Sequence, residues 1–341
     1  MIFYLVTREH PYTINEYLAS WGHGLRSTVQ TLFYDQLSLR KALQPGAYIF
    51  SDLERLNPPY MELAQNIWIA LNAANGCIAL NNPSRVLRRE PMLRALHSCG
   101  KNPFAVHAVT DDLAAIRFPA FVRRHNAHDG ALTPLLNSHQ ELLDALSEAR
   151  GHAIPDEDLL IVEYCNTATD SGIFRKYGAF CVAGQIIPRH ILLGGTWVMK
   201  YPEHVDAASV AEEREYLTEN PHRAQLEEIF NLARIEYGRI DYSLLNGKTV
   251  TWEINTNPTI SVSPDTLSPL RLPLQPLFMD PFTRALETLQ VPGARHAIPF
   301  QTSRELIHRL RQRKRDRALR AANRRMRSIG GNVLRKLKLK R

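Results

Sequence analysis

The sequence predicts a mixed α/β protein, with a small parallel α/β unit at its N-terminal end and antiparallel hairpins after it. Three observations carry that prediction. Over the first 80 residues, short and wholly apolar runs alternate with helical patterns, as strands and crossover helices do in a parallel sheet. Further along, two pairs of apolar runs flank tight turns at Ala183-Gly184 and Asn246-Gly247, and Asn-Gly in such a setting is the strongest short-range hairpin signal. The chain of 341 residues is 44% hydrophobic and 22% charged. That suits a folded protein of roughly two or three domains and excludes collagen, coiled coil and wholesale disorder.

Taken in order, Ile2 to Val6, Thr31 to Tyr34 and Ala47 to Phe50 read as buried strands, and Thr13 to Trp21 and Met61 to Ala74 have helical spacing. A break at Asn81-Asn82-Pro83 makes residues 1–80 the first expected domain. The second, 81–158, holds a helix from about Glu90 to Ser98 ended by Gly100 and Pro103, and a strand in Phe118 to Val122. A polar loop follows from Arg123 to Gly130, then a helix from about Gln140 to Arg150 with Ser138 as its cap. The third, 159–303, opens on the apolar run Leu159 to Cys165 and contains the first hairpin, a polar helical stretch from Ala207 to Tyr237, and the last hairpin. Residues 304–341 are expected to form a basic helical tail.

The formal net charge of +8 is unevenly spread. Residues 304–341 carry 16 Lys/Arg against Glu305 and Asp316, a charge of +14, whereas residues 1–303 carry 26 Lys/Arg against 32 Asp/Glu, a charge of −6. Leu306, Ile307, Leu310, Leu319, Met326 and Ile329 give the tail only a narrow apolar stripe. It is therefore expected to be separable from the body and to add little to its core. Its charge suits an acidic macromolecule or an anionic membrane surface; without interleaved aromatics, sequence-specific nucleic-acid recognition is not expected.

Cys77, Cys99, Cys165 and Cys181 form no C-x-x-C pair and read as free thiols of a cytoplasmic protein. No run approaches the roughly 18 to 20 apolar residues of a membrane span. Arg8 and Glu9 cut the first apolar run too short for a signal peptide. The glycine fingerprints of P-loop and dinucleotide folds, and the G-x-S-x-G elbow of hydrolases, do not occur.

The last hairpin, GRIDYSLLNGKTVTWEINTNP, concentrates the chemistry. Alternation puts Glu253 and Asn255 on one face of their strand. With Asp241 turned the same way, three oxygen donors converge, a set that suits Mg²⁺ and not zinc. Arg239 precedes Asp241 by two residues, which places a cation on the same face. Solvated polar positions on an amphipathic hairpin would read the same way.

This string resembles the metal-binding hairpin of the ATP-grasp superfamily and is especially similar to that of D-alanine–D-alanine ligases. The resemblance implies that Asp241, Glu253 and Asn255 hold two Mg²⁺ ions, with Mn²⁺ as a substitute, and that Arg239 faces the negative charge that builds on the reacting group. The order of upstream motifs agrees over roughly Asn81 to Pro258. FPAFVRR is similar to the strand whose cation reaches the nucleotide phosphates, here Arg123, and REPMLRALHSCG to the helix that begins with another, here Arg89. LIVEYCNTATD resembles the segment that holds adenine and ribose, implying roles for Glu163, the Asn166 backbone and Asp170. Lys200, with Arg175 and Arg189, offers further phosphate or substrate contacts. One departure is the loop HNAHDG, poor in the Gly and Ser that let backbone amides approach phosphates; His125 and His128 could replace some donors, although two His in a polar loop are more often simply exposed.

The implied architecture is an N-terminal α/β domain followed by two ATP-clamping sub-domains. The implied activity is ATP-dependent joining of a small-molecule or peptide carboxylate to an amine (or thiol) through an acyl phosphate, with release of ADP and phosphate. A catalytically silent binding protein that uses its basic tail, or a kinase of the same fold, are the alternatives.

Overall fold

The plan of the molecule follows from alternation in its first strand. A computed structural model describes residues 1–126, 130–262, 266–291, 296–313 and 315. The chain runs β1 (Ile2–Val6), α1 (Tyr12–Ala19), β2 (Val29–Phe33), α2 (Tyr34–Leu37), β3 (Ala42–Leu43), β4 (Ala47–Phe50), α3 (Pro58–Asn72) and β5 (Ile78–Leu80). Strands β2-β1-β4-β5 form a sheet whose pairings are all parallel. On one face of β1, Ile2, Tyr4 and Val6 pack in a core that includes Phe180, Tyr237, Phe278 and Phe282. On the other, Phe3 and Leu5 pack with Leu63, Ala64 and Ile67 of α3.

The next elements are α4 (Arg89–Ser98), β6 (Val106–Ala108), β7 (Ala120–Arg124), α5 (His139–Gly151) and β8 (Leu159–Glu163). Strands β6-β8-β7 form an antiparallel sheet. Ala120 and Val122 of β7 pack toward Leu142 and Leu146 of α5, so the residues between them turn the other way. Ser138 caps α5 by accepting the Glu141 amide at 3.2 Å, as its position before the helical pattern suggests.

Last come β9 (Phe174–Val182), β10 (Gln185–Gly194), α6 (Ala207–Glu219), α7 (Arg223–Ala233), β11 (Tyr237–Leu245), β12 (Lys248–Asn255), α8 (Gln275–Glu287) and β13 (Ile298–Pro299). Strands β10-β9-β11-β12 form the second antiparallel sheet, and β13 pairs with β3. The stretch expected as one helix from Ala207 to Tyr237 is two, because Asn220 adopts φ +48° and Pro221 follows. The strand expected at Thr31 to Tyr34 begins at Val29, and Tyr34 already opens α2.

Two features join the parallel sheet to the second antiparallel one. Asn81, buried and at φ +66°, donates through Nδ2 to the Phe50 and Tyr237 carbonyls at 3.0 and 2.7 Å. Its Oδ1 accepts the Glu236 and Tyr237 amides at 2.8 and 2.9 Å. The apolar core around Tyr4, Phe180 and Phe278 supplies the rest.

The expectation of a separable tail is corrected. Residues 304–313 are helical, and Leu306 and Leu310 are 0% and 4% exposed in the core on α3. Arg309 pairs with Glu62 on that helix. Burying a leucine fully contributes about 1.5–3 kcal/mol, which outweighs the narrowness of the stripe. The rest of the basic tail, residues 316–341, and with it the expected polyanion contact, lies outside the described residues. Leu306→Ala and Leu310→Ala are each expected to cost about 2–5 kcal/mol, and a chain ending at Thr302 should melt far below the full chain. Equal urea midpoints for full-length and shortened protein would show that this helix is dispensable.

Candidate functional site: a cleft between two antiparallel sheets

The last hairpin turns where the sequence says it should. Asn246 and Gly247 adopt φ +52° and +74°, the left-handed pair that a two-residue turn requires. Across the hairpin Asp241 lies opposite Glu253, and Arg239 opposite Asn255. Opposed residues share a face, so the three oxygen-bearing residues and Arg239 do stand on one side of the sheet. A bulge in β12 at Trp252 shifts the register by one residue and so brings Glu253, in place of Trp252, opposite Asp241; the Trp252 indole donates to Ser243 Oγ at 2.9 Å.

The same face bounds a cleft of about 910 Å³, its open mouth included. Lys176, Asp241, Ser243, Trp252 and Glu253 form one wall; Phe121 and Arg123 of β7 form the other. Tyr164, Cys165 and Thr167 close one end, and Trp197 to Lys200 approach Gly130 at another. The cleft thus joins an apolar part, suited to a flat ring, to a part lined by three cations and two carboxylates.

Cations outnumber carboxylates around the cleft: Arg89, Arg123, Lys176, Lys200 and Arg239 stand against Asp241 and Glu253. The Glu253 carboxylate accepts from Arg89 and from Arg123 Nη2, the latter at 3.1 Å. Asp241 accepts from Arg239 Nε at 2.8 Å and pairs with Lys176 Nζ at 3.6 Å. Burial pushes the Arg123 guanidinium pKa down, and Glu253 beside it acts in the opposite direction. Asn255 is buried, and its side-chain oxygen accepts the Asn257 amide at 2.9 Å. Among the described residues no three His, Cys, Asp or Glu side chains cluster as a metal site. A hard cation here would take carboxylate oxygens from Asp241 and Glu253 and an amide oxygen from Asn255, a donor set that fits Mg²⁺.

The loop after β12 is fixed from the parallel unit. Asn257 Oδ1 accepts from Tyr4 Oη at 2.8 Å and Thr13 Oγ1 at 2.6 Å. Thr256 Oγ1 accepts the Leu53 amide at 3.0 Å. These bonds hold Asn255 and its neighbours against the ends of β1 and β4.

Of the residues expected from the sequence, Arg123, Lys200, Asp241 and Glu253 line the cleft. Arg89 reaches Glu253 from the first residue of α4, and Arg239 and Asn255 lie beside them on the hairpin. Asp170 is exposed and does not line it, and Asn166 Oδ1 accepts the Ala168 amide at 3.0 Å. Glu163 is 3% exposed and turned away from the cleft. It accepts from the Ala105 amide at 3.0 Å, from the Arg117 amide at 3.1 Å, and from Arg117 Nε and Nη2 at 2.9 and 2.6 Å. Arg175 pairs with Glu212 at 2.6 Å on the opposite face. Its neighbour Lys176, which the sequence reading passed over, lines the cleft instead; counting parity from the Asp241 row, which Gly178 joins, would have found it. His125 bonds Glu90 at 2.6 Å; His128 lies outside the described residues.

No protein-family model matches this sequence, and no curated protein sequence does. Solved structures do match. D-cycloserine synthetase DcsG superposes with a TM-score of 0.54 at 15% identity, over 85% of this chain and 100% of that one. The fold is ATP-grasp. The D-alanine–D-alanine ligase of Bacillus anthracis, solved with ATP, gives a TM-score of 0.48 at 14% identity, over 85% of this chain and 96% of that one. An L-amino acid ligase of Bacillus licheniformis gives 0.43 at 10% identity, over 84% and 74%. The match to D-cycloserine synthetase meets the expected fold class.

Glu163 anchors the segment that closes one end of this ATP-grasp cleft. Burial alone would raise its pKa; hydrogen bonds from Arg117, the Ala105 amide and His107 outweigh that and hold the carboxyl down at about 2. A depressed carboxyl stabilises the fold above its ordinary value of 4.5, and the contribution is lost as pH falls toward 2. Glu163→Gln should therefore be less stable than wild type at pH 7, and the gap should narrow steadily below pH ~4.5. Urea midpoints measured across that range check it; a constant gap would contradict the titration.

Proposed function

We propose that the protein is an ATP-dependent carboxylate–amine ligase, with a thiol as alternative acceptor, that works through an acyl phosphate. One observation carries the reading: Asp241 and Glu253 stand directly opposite each other on the face of a cleft that also holds Arg123, Lys176 and Lys200, with Arg239 beside them. That arrangement matches what phosphoryl transfer asks of a protein, which is positioning and charge stabilisation.

In this reading the apolar part of the cleft, between Phe121, Trp197 and Trp252, takes the base, and Arg123, Lys176 and Lys200 take the phosphates. Asp241, Glu253 and Asn255 would hold Mg²⁺, which when bound neutralises triphosphate charge. A substrate carboxylate oxygen attacks the γ-phosphorus; the bond from γ-phosphorus to the β,γ-bridging oxygen breaks and ADP leaves. An amine nitrogen then attacks the acyl carbon, the carbon–oxygen bond to phosphate breaks, and inorganic phosphate leaves as the nitrogen loses a proton to solvent. Arg239 faces the tetrahedral oxyanion of that second step. No side chain serves as a covalent nucleophile.

The test is phosphate release from ATP with Mg²⁺ across pairs of acids and amines, with products identified by mass spectrometry. Acceptor-dependent release with an amide product is expected; ADP formation with a phosphorylated acid and no released phosphate would point to a kinase. Arg239→Ala is expected to lower kcat by roughly 10²- to 10³-fold while ATP affinity changes little. A raised KM for ATP with unchanged kcat would move Arg239 to ground-state phosphate binding. Glu253→Gln, checked for folding by circular dichroism, should lose Mg²⁺-dependent ATP binding in calorimetry, and wild-type affinity would remove Glu253 from the metal set.

A further inference from the structure

Beside Arg239 lies a second guanidinium that this mechanism does not use. Strand β10 pairs with β9 through Pro188–Ala179 and then His190–Gly178, which leaves Arg189 as an extra residue in a bulge. A bulge re-aims a side chain and is a common device beside functional sites. Arg189 is 6% exposed, with its guanidinium 4.7 Å from the Phe278 ring centroid. Its Nε donates to the Ile260 carbonyl at 3.1 Å, while Arg239 Nη1 reaches the adjacent Thr259 carbonyl at 3.4 Å. The two guanidiniums thus reach consecutive carbonyls of one loop, close enough for the charge of Arg239 to act on Arg189.

Their charge balance differs. Arg239 is compensated by Asp241 at 2.8 Å, and nearby Arg271 by Glu213 at 2.6 and 2.7 Å. Arg189 has no carboxylate partner among the described residues. Burial, with Arg239 nearby, pushes its pKa down to about 9, so it is still a cation at neutral pH. A buried unpaired cation is costly unless an anion completes it. The planar fork of arginine matches a carboxylate with two parallel bonds.

We propose that Arg189 binds a non-reacting carboxylate of the substrate, next to the group that faces Arg239. This rests on the ligase reading above, and it narrows the substrate to molecules with a carboxylate besides the bond being made. Arg189 is then a specificity-determining residue, and the bulge in β10 is the device that aims it.

The test uses the full chain with Mg²⁺ and the non-hydrolysable ATP analogue AMP-PNP. D- and L-alanine, D- and L-serine and D- and L-glutamate are each compared with their α-carboxamides, binding being read from the melting temperature and parallel runs with ATP from phosphate release. At least one free acid is expected to bind about 10- to 100-fold more tightly than its carboxamide. Arg189→Met should abolish that difference, and Arg189→Lys, which keeps a charge without the fork, should retain part of it. If Arg189→Met does not fold, the partial loss in Arg189→Lys carries the test. No preference for any free acid, or an undiminished preference in the Arg189 variants, overturns the assignment. Phosphate release without acid preference defeats Arg189 and leaves the ligase reading standing; Arg189-dependent acid preference without phosphate release does the reverse.

Discussion

One carboxylate holds the cleft together. Glu253, on the last strand of one sheet, is held by Arg89 from the start of α4 and by Arg123 from the facing sheet. Two guanidiniums repel each other, and neither is exposed enough for water to screen that repulsion fully. The carboxylate between them makes their approach favourable, and with it the closeness of the two walls. Removing one partner of such a buried set costs about 3–5 kcal/mol, because the other charges stay behind. Architecture and the proposed chemistry are therefore joined in a single side chain.

A division of labour follows along the sheet that carries Glu253. Near Phe180 and Tyr237 its inner face is hydrophobic and buried against the parallel unit. Further along, Lys176, Asp241 and Ser243 of the same face line the cleft. Gly178 sits in the row of Asp241 and His190. A Cβ there would come 2.7 Å from His190 Nε2, so the ring occupies space that only glycine leaves open. Arg239 stands where core gives way to cleft, which explains how its charge can be both well positioned and still reachable.

Much of this was legible in the sequence, and the reasons are physical. Alternation groups Arg239 with Asp241 on one strand and Glu253 with Asn255 on the other before any coordinates, but the register running back from the Asn-Gly turn would set Asp241 opposite Trp252, and the bulge there is what puts the two pairs on one face. Strand boundaries limit such reading. Choosing Arg175 over Lys176 is an error of one residue, and one residue reverses the face. The bulges at Arg189 and Trp252 cannot be seen in alternation, because a bulge is a departure from it. Leu306 and Leu310 were discounted because their stripe is narrow, whereas burial depends on the partner surface that α3 provides. Glu163 sits in a recognisable motif, but its donors Ala105, His107 and Arg117 lie 46 to 58 residues away, beyond the reach of spacing.

Asn81 bears on how the protein would work as a machine. Its amide bonds both the parallel sheet and the start of β11, and the aromatic core behind it is shared by the two. Those parts form one rigid jaw. The core formed by α5 and the outer faces of β7 and β8 contains no residue of that jaw, but their inner faces share a core with β9, β11 and β12, so on the proposed ligase reading any opening to admit nucleotide would have to part that shared core. On that reading the Arg123–Glu253 contact, which spans the cleft, would be released and remade with it.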